Sequence, residues 1–172
     1  MRVYIPATLA MLRQLVADGE LFPVSGTAFA VTPRLREAYA EGDDDELAEV
    51  ALGEAARASL RLLATDQDGG TGATDDALPL RRAVIVADIE PVTMRPDLDD
   101  AVVRVGGPCR TDAVAAAYVD IAEAEPAVRA AIAVIDEADM GDEDAELTVG
   151  DALDHDLAWY ATQELPFLLE LL

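Results

Sequence analysis

The chain is poor in the residue types that usually carry covalent chemistry. Its 172 residues include one cysteine, one histidine and no lysine, so all 12 basic residues are arginine. The single cysteine, Cys109, cannot form an internal disulfide, and its position favours a small apolar residue at a strand end. One histidine and one cysteine are too few for a zinc site, and no lysine is present to act as a nucleophile. We therefore expect no metal, no cofactor and no catalytic residue, which favours a non-enzymatic protein.

The chain also lacks a long uninterrupted apolar run. Its most apolar windows, residues 113–122 and 165–172, are about ten residues or shorter, against the roughly 20 that a membrane-spanning helix needs. The first residues do not show the apolar stretch of a secretory signal. We expect a cytoplasmic protein that does not contact a membrane.

Positive charge is scarce in two segments. The 35 acidic residues outnumber the 12 arginines, which gives a net charge of −23. Residues 43–80 hold ten acids and two arginines, and residues 111–172 hold sixteen acids and one arginine. Such a surface repels the phosphates of nucleic acids, so no direct nucleic-acid binding is expected. It is either a solvated surface or an acidic face that holds a basic protein partner.

An apolar content of 52% excludes a disordered acidic tail and predicts a packed core. Hydrophobic periodicity and capping residues predict a single globular domain over residues 1–172, of the α/β or α+β class, with a mixed sheet of four to five strands against about five helices. Strands are predicted at 2–7, 26–32, 82–89, 101–105 and 115–121. Helices are predicted at 9–18, 33–41 and 44–64, from Pro126 to an acidic turn at 136–146, and from Thr148 to Pro166. Residues 66–79 read as a mobile acidic, glycine-rich loop.

The first candidate site lies at the predicted N-terminus of the helix at 33–41. Thr32, Arg34 and Arg36 place a hydroxyl, backbone N–H groups and two guanidinium groups where a helix dipole attracts anions. This set predicts an anion site. The alternative is that each arginine pairs with a carboxylate, Arg34 with Glu37 three residues on.

The second candidate is an aromatic and polar patch on the predicted last helix. Helical spacing places His155, Trp159 and Gln163 on one face, with Tyr160 and Glu164 beside them. Tryptophan and tyrosine are frequent anchors of protein interfaces, so this patch suits a partner, although they also cap cores. The tail at 165–172 is too apolar to remain in water and suggests burial or a homodimer.

Four segments resemble a known family. They are residues 1–8 (MRVYIPAT), 28–37 (AFAVTPRLRE), 58–63 (ASLRLL) and 159–164 (WYATQE). Together they resemble a family of short, acidic actinobacterial proteins whose domain has no known function. The resemblance implies an actinobacterial source, and it brings no activity with it.

Three functions remain open from the residues. We expect first a non-enzymatic protein-binding or regulatory domain that uses its acidic surface or the patch near Trp159. A second reading is an enzyme or small-anion binder built on Arg34 and Arg36. A third is a nucleic-acid mimic that occupies a DNA- or RNA-binding protein, which needs carboxylates at phosphate-like spacing.

Overall fold

The computed structural model describes residues 1–68 and 78–172, which form a mixed α+β domain. The strands are β1 (Arg2–Ala7), β2 (Glu20–Leu21), β3 (Thr27–Phe29), β4 (Ala83–Asp88), β5 (Val92–Met94), β6 (Val102–Val105), β7 (Cys109–Arg110), β8 (Val114–Val119) and β9 (Ala158–Ala161). The helices are α1 (Leu9–Asp18), α2 (Pro33–Ala38), α3 (Asp44–Asp68), α4 (Glu125–Asp139), α5 (Glu143–Leu153) and α6 (Leu165–Glu170).

Within the described residues, seven strands form one sheet in the order β5-β6-β3-β1-β4-β8-β9. Every neighbouring pair is antiparallel, so the prediction of a mixed sheet with four to five strands is wrong. The missed strands β5 and β9 have three and four residues, too few for the alternation of side chains to stand out. Strands β2 and β7 pair separately as a two-stranded ribbon.

The central strands β1 and β4 are covered on both faces. Val3 and Ile5 face a layer formed by α1 and α6, whereas Tyr4 faces the opposite layer formed by α2 and α3. Strand β4 alternates in the same way, with Ile85 in the first layer and Val86 in the second. Burial on both faces explains why this strand is continuously apolar.

Helix α3 is buried along two sides, as its wide apolar surface predicts. Its first half packs on the sheet through residues such as Leu47 and Ala51, and its second half packs on α4 and α5 through Leu60 and Leu63. The helix continues to Asp68, so the predicted loop at 66–79 begins inside it. Residues 69–77 of that predicted loop lie outside the described residues.

The capping residues that the sequence indicates are confirmed near the N-terminus. The Thr8 hydroxyl accepts a hydrogen bond from the Met11 amide at the start of α1, and Gly19 ends this helix with a left-handed φ of 78°. Thr32 caps α2 in the same way, and Pro33 occupies its first turn. These helices therefore begin where local chemistry dictates.

The chain after residue 136 differs from the prediction. Instead of an acidic turn at 136–146, α4 runs to Asp139 and α5 begins after Asp142, whose carboxylate accepts from the Ala145 amide at 2.8 Å. Thr148 lies inside α5, where its hydroxyl donates to the carbonyl oxygen of Asp144, so it starts no helix. Pro166 opens α6 instead of ending a helix, because the first turn does not need its missing N–H.

None of the helices in the described residues has both the length and the apolar composition needed to cross a bilayer.

Candidate functional site

A buried ion pair joins the ends of two neighbouring strands. Arg82 directly precedes β4 and Asp120 directly follows β8, and these strands pair with Ala83 opposite Val119. The Arg82 guanidinium donates from Nε to Asp120 Oδ2 at 2.9 Å and from Nη2 to Oδ1 at 2.7 Å. The two side chains are only 2% and 0% exposed. Each buried charge is therefore compensated by a bidentate partner.

The same guanidinium fixes the segment between α5 and β9. Arg82 Nη2 also donates to the main-chain carbonyl oxygen of His155 at 2.8 Å. This bond ties residues 154–157, which connect α5 to the edge of the sheet, to the buried ion pair. Arg82 therefore positions one wall of the space that lies beside it.

That space is a cleft of about 740 Å³ between α3 and the segment that contains His155. Its apolar lining includes Val50, Leu52, Leu153 and Leu157, and its acidic lining is Glu49, Glu54 and Asp156. Arg57, Arg82 and His155 also line it. The cleft thus combines an apolar surface with several ionisable groups, which is the usual composition of a binding site.

The two arginines of the cleft are already paired with acids outside it. Arg57 Nη2 contacts Glu146 Oε1 at 2.9 Å and Asp139 Oδ1 at 3.2 Å, and Arg82 is held by Asp120. Among the described residues, no ion pair involves the three carboxylates of the cleft, Glu49, Glu54 and Asp156. The uncompensated charge of the cleft is therefore negative.

Glu54 experiences this environment most directly. Burial raises the pKa of its carboxyl above the ordinary value, and the negative charge of Asp99 adds to the increase, while Arg61 and Arg57 oppose it. A raised pKa means that the ionised carboxylate is less well solvated than in water. A cation beside Glu54 would relieve this cost.

The carboxylates of the cleft do not converge on one point. Residues 1–68 and 78–172 contain no group of three histidine, cysteine, aspartate or glutamate side chains placed to hold a metal ion. Carboxylates spread around an apolar surface match an extended organic cation better than a single ion. The arrangement therefore suits a ligand with both methylene groups and positive charge.

The residues of the first predicted site lie at the start of α2, and both of its arginines are paired with acids. Thr32 Oγ1 donates to the Asp100 carbonyl oxygen and accepts from the Leu35 amide at 3.0 Å. Arg34 Nε contacts Asp100 Oδ1 at 3.3 Å, and Arg36 pairs with Asp44. The partner of Arg34 is therefore Asp100, not Glu37. Arg34 and Asp100 both line the adjacent cavity of about 260 Å³. The anion site stays a prediction.

The second predicted site does not form one helical face. Trp159 and Tyr160 lie in β9, opposite Tyr118 and Ala117 of β8, so their side chains point to opposite faces of the sheet. Trp159 is 56% exposed, whereas Tyr160 packs against the core layer of α1 and α6. The predicted helix is wrong here because the four-residue strand that includes Trp159 replaces it.

The other members of that patch are separated. His155 lines the cleft beside α3, and Gln163 lines a different cavity beside α1. The Glu164 carboxylate accepts a hydrogen bond from the Ala161 amide at 3.1 Å, which satisfies the backbone after β9. His155 is therefore the member of the patch that the structure brings to the acidic cleft.

The apolar tail is partly buried. Leu165 and Leu168 pack into the core beside α1, while Phe167 and Leu171 are exposed. Burial of one side of α6 confirms that the tail does not lie free in water. A homodimer through residues 165–172 stays a prediction.

Cys109 is confirmed as a buried residue in a short strand. Burial raises the pKa of its thiol to about 11, and the negative charge of Asp112 acts in the same direction. Its thiolate is scarce at neutral pH, which fits a packing role.

Sequence reasoning did not single out Arg82, Asp120, or Glu49 and Glu54 of α3. A signal for the ion pair was present, because Arg82 begins the predicted strand at 82–89 and Asp120 stands near the end of the predicted strand at 115–121. Charges of opposite sign at the ends of two strands would meet if these strands paired antiparallel. The order of the strands in the sheet, which the sequence does not show, is what makes them neighbours.

Comparison with known proteins gives a family without an assigned activity. No curated protein and no solved structure matches the chain. The sequence model of a family of unknown function, DUF6912, matches residues 1–169. Because this match covers nearly the whole chain, the protein belongs to the DUF6912 family.

Proposed function

We propose that this protein is a non-enzymatic binding domain that holds a basic segment of a partner protein in the cleft between α3 and residues 153–157. One observation carries the proposal. Glu49, Glu54 and Asp156 surround the apolar lining of the cleft without an ion-pair partner in the described part of the chain. An arginine or lysine side chain supplies both the charge and the methylene groups that this lining can contact.

Long-range electrostatics supports the same kind of partner. A net charge of −23 attracts basic surfaces and repels acidic ones before contact. Charge of this kind increases the association rate and selects the partner more than it increases affinity. The affinity then comes from contacts inside the cleft that exclude water. Half-buried Glu54 is expected to contribute most, because burial already raises the pKa of its carboxyl.

The proposal includes a setting for the protein. We place it in the cytoplasm of an actinobacterium, where a single cysteine stays reduced and arginine replaces lysine throughout. Both statements rest on composition and on the resemblance of the chain.

Calorimetric titration with a short arginine-containing peptide tests the proposal. The double variant Glu49→Gln/Glu54→Gln removes two charges from the cleft, and Glu41→Gln/Glu123→Gln removes two exposed charges elsewhere. We expect the first variant to weaken binding at least tenfold more than the second. Binding should also weaken as ionic strength rises, because salt screens the contributing charges. Equal losses in the two variants would show that total charge matters and that the cleft does not.

A further inference from the structure

The buried Arg82 guanidinium has one nitrogen that its ion pair does not use. Its Nε and Nη2 atoms donate to Asp120 and to the His155 carbonyl oxygen, and no hydrogen bond within the described residues involves Nη1. Every fully buried polar side-chain atom in the described residues has a hydrogen-bond partner. Nη1 is therefore not fully buried. Arg82 lines the cleft, and we take the cleft as the space that Nη1 faces.

The surroundings of Nη1 decide which acceptor it takes. The positive charge of Arg82 is balanced by Asp120, and the nearby carboxylates of Glu49, Glu54 and Asp156 repel a second anion. A neutral acceptor such as a carbonyl oxygen meets no such repulsion. The available donor therefore favours a peptide carbonyl over a carboxylate or a phosphate.

We infer that the cleft recognises a basic residue together with a main-chain carbonyl of the same peptide. Glu49, Glu54 and Asp156 receive the cationic side chain, and Arg82 Nη1 donates a hydrogen bond to the carbonyl oxygen. This inference rests on the proposed function and adds the chemical group that fixes the peptide backbone.

The rigidity of Arg82 strengthens this role. Three hydrogen bonds of 2.7 to 2.9 Å hold its guanidinium before any ligand arrives. A donor that is already fixed loses little side-chain entropy when the ligand binds. Surface arginines such as Arg34 lack this advantage because they are exposed.

Two probes of equal charge test the inference by NMR titration. Nα-acetylarginine amide carries a guanidinium and peptide carbonyls, whereas 1-butylguanidinium carries the cation without a carbonyl. We expect the first probe to bind about tenfold more tightly, since a hydrogen bond from a charged donor contributes that order of affinity. It should also shift the guanidinium resonances of Arg82, whereas the second probe should not. Arg95, bound by Asp97 at the surface, is the internal control and should not respond to either probe.

The outcomes separate the two proposals. Equal affinities with unchanged Arg82 resonances would overturn the carbonyl contact and leave cation binding in the cleft intact. Tighter binding of Nα-acetylarginine, with its free carboxylate, than of the amide would show that the acceptor is an anion and would also overturn the inference. If neither cation perturbed residues 49–57 or 153–157, the proposed function would fail together with it.

Discussion

Two arginine sites in this molecule differ in burial and therefore in their expected effect on stability. Arg34 and Arg36 stand in an anion-binding sequence context at the start of α2, yet both are exposed and paired with the chain's own acids. Arg82 stands in no motif, yet it is buried in a bidentate pair and reaches the acidic cleft. The comparison teaches that the tertiary position of an arginine, not its local sequence, decides what it does here.

The physical reason is the solvent. An exposed ion pair gains little because water and salt screen it, typically about 0–1 kcal/mol. A buried pair is costly to break, because removal of one partner leaves the other charge without water or a counterion. Five predictions test this contrast, the strongest effect first.

The largest effect is expected from Asp120→Asn. This change removes the charge that compensates buried Arg82, and it should lower the free energy of unfolding by about 3–5 kcal/mol. Denaturant unfolding measures the loss. Asp97→Asn is the matched control, because Arg95 also donates two hydrogen bonds to Asp97, but at the surface. It should leave the unfolding midpoint unchanged.

A second variant separates charge from packing at the same place. Arg82→Met/Asp120→Leu replaces both members of the pair with apolar groups, and such replacements are often neutral or stabilising. We expect it to recover most of the stability lost in Asp120→Asn, and to lack the proposed hydrogen bond from Arg82 to a peptide carbonyl. A double variant as unstable as Asp120→Asn would contradict the argument from uncompensated charge.

The next effect concerns a buried neutral group beside the pair. The Ser59 hydroxyl donates to the Ala7 carbonyl oxygen at 2.7 Å and accepts from the Ala83 amide at 3.1 Å, which ties α3 to β1 and β4. Ser59→Ala removes these two buried hydrogen bonds and should cost about 1–3 kcal/mol in denaturant unfolding. Thr65→Ala is the control, since Thr65 is exposed and its hydroxyl donates to the Arg61 carbonyl oxygen within the same helix. A smaller loss in Ser59→Ala than in Thr65→Ala would refute this ranking.

A smaller effect depends on pH. Hydrogen bonds from Arg61 lower the pKa of Asp139, against burial, which raises it, and Arg57 adds to the lowering. The pKa of this carboxyl is therefore lower in the folded state than in the unfolded chain, where it is about 3.9. The ion pair contributes its full stability at pH values above the unfolded pKa. This contribution is lost as the pH falls from there through the pKa of the folded state. Unfolding measured between neutral and acid pH should show this loss. The variant Asp139→Asn should lack it, and an identical pH profile in the variant would contradict the assignment.

The smallest effect is expected at the exposed arginines. Arg34→Gln/Arg36→Gln removes two surface pairs and should change stability by about 0–1 kcal/mol per pair. Inorganic phosphate should change the melting temperature of the variant and of the original chain by the same amount. If phosphate raised the melting temperature of the original chain but not of the variant, Arg34 and Arg36 would form an anion site. That result would contradict the view that the buried arginine matters more than the exposed pair.

The elements that sequence predicted well are those whose signals are local. Helix α1 is bounded by Thr8 and Gly19, and each of these residues caps the helix turn next to it. Strand β4 is a continuous run of apolar residues, which is typical of a strand that is covered on both faces. Strand β9 was missed because its four residues, Ala158–Ala161, follow a helix and contain no alternation long enough to recognise. Pro166 misled because proline both opens and ends helices.

The candidate site was harder because its parts are distant in sequence. Glu54, Arg82 and Asp156 meet only after α3, β4 and the segment before β9 have packed together. Their charges are visible in the sequence, but the chain contains 35 acids and gives no sign of which ones share a cleft. Sequence reasoning placed His155 on an aromatic face. In the structure it lines the cleft, and its main-chain carbonyl oxygen accepts a hydrogen bond from Arg82.

The most direct test of the central claim is a map of amide chemical-shift changes during titration with an arginine-containing peptide at low salt. The account predicts that the changes centre on residues 49–57 and 153–157 and disappear when ionic strength is raised past the screening range. Changes that centred on Thr32 and Arg34, or that spread evenly over the acidic surface, would contradict it.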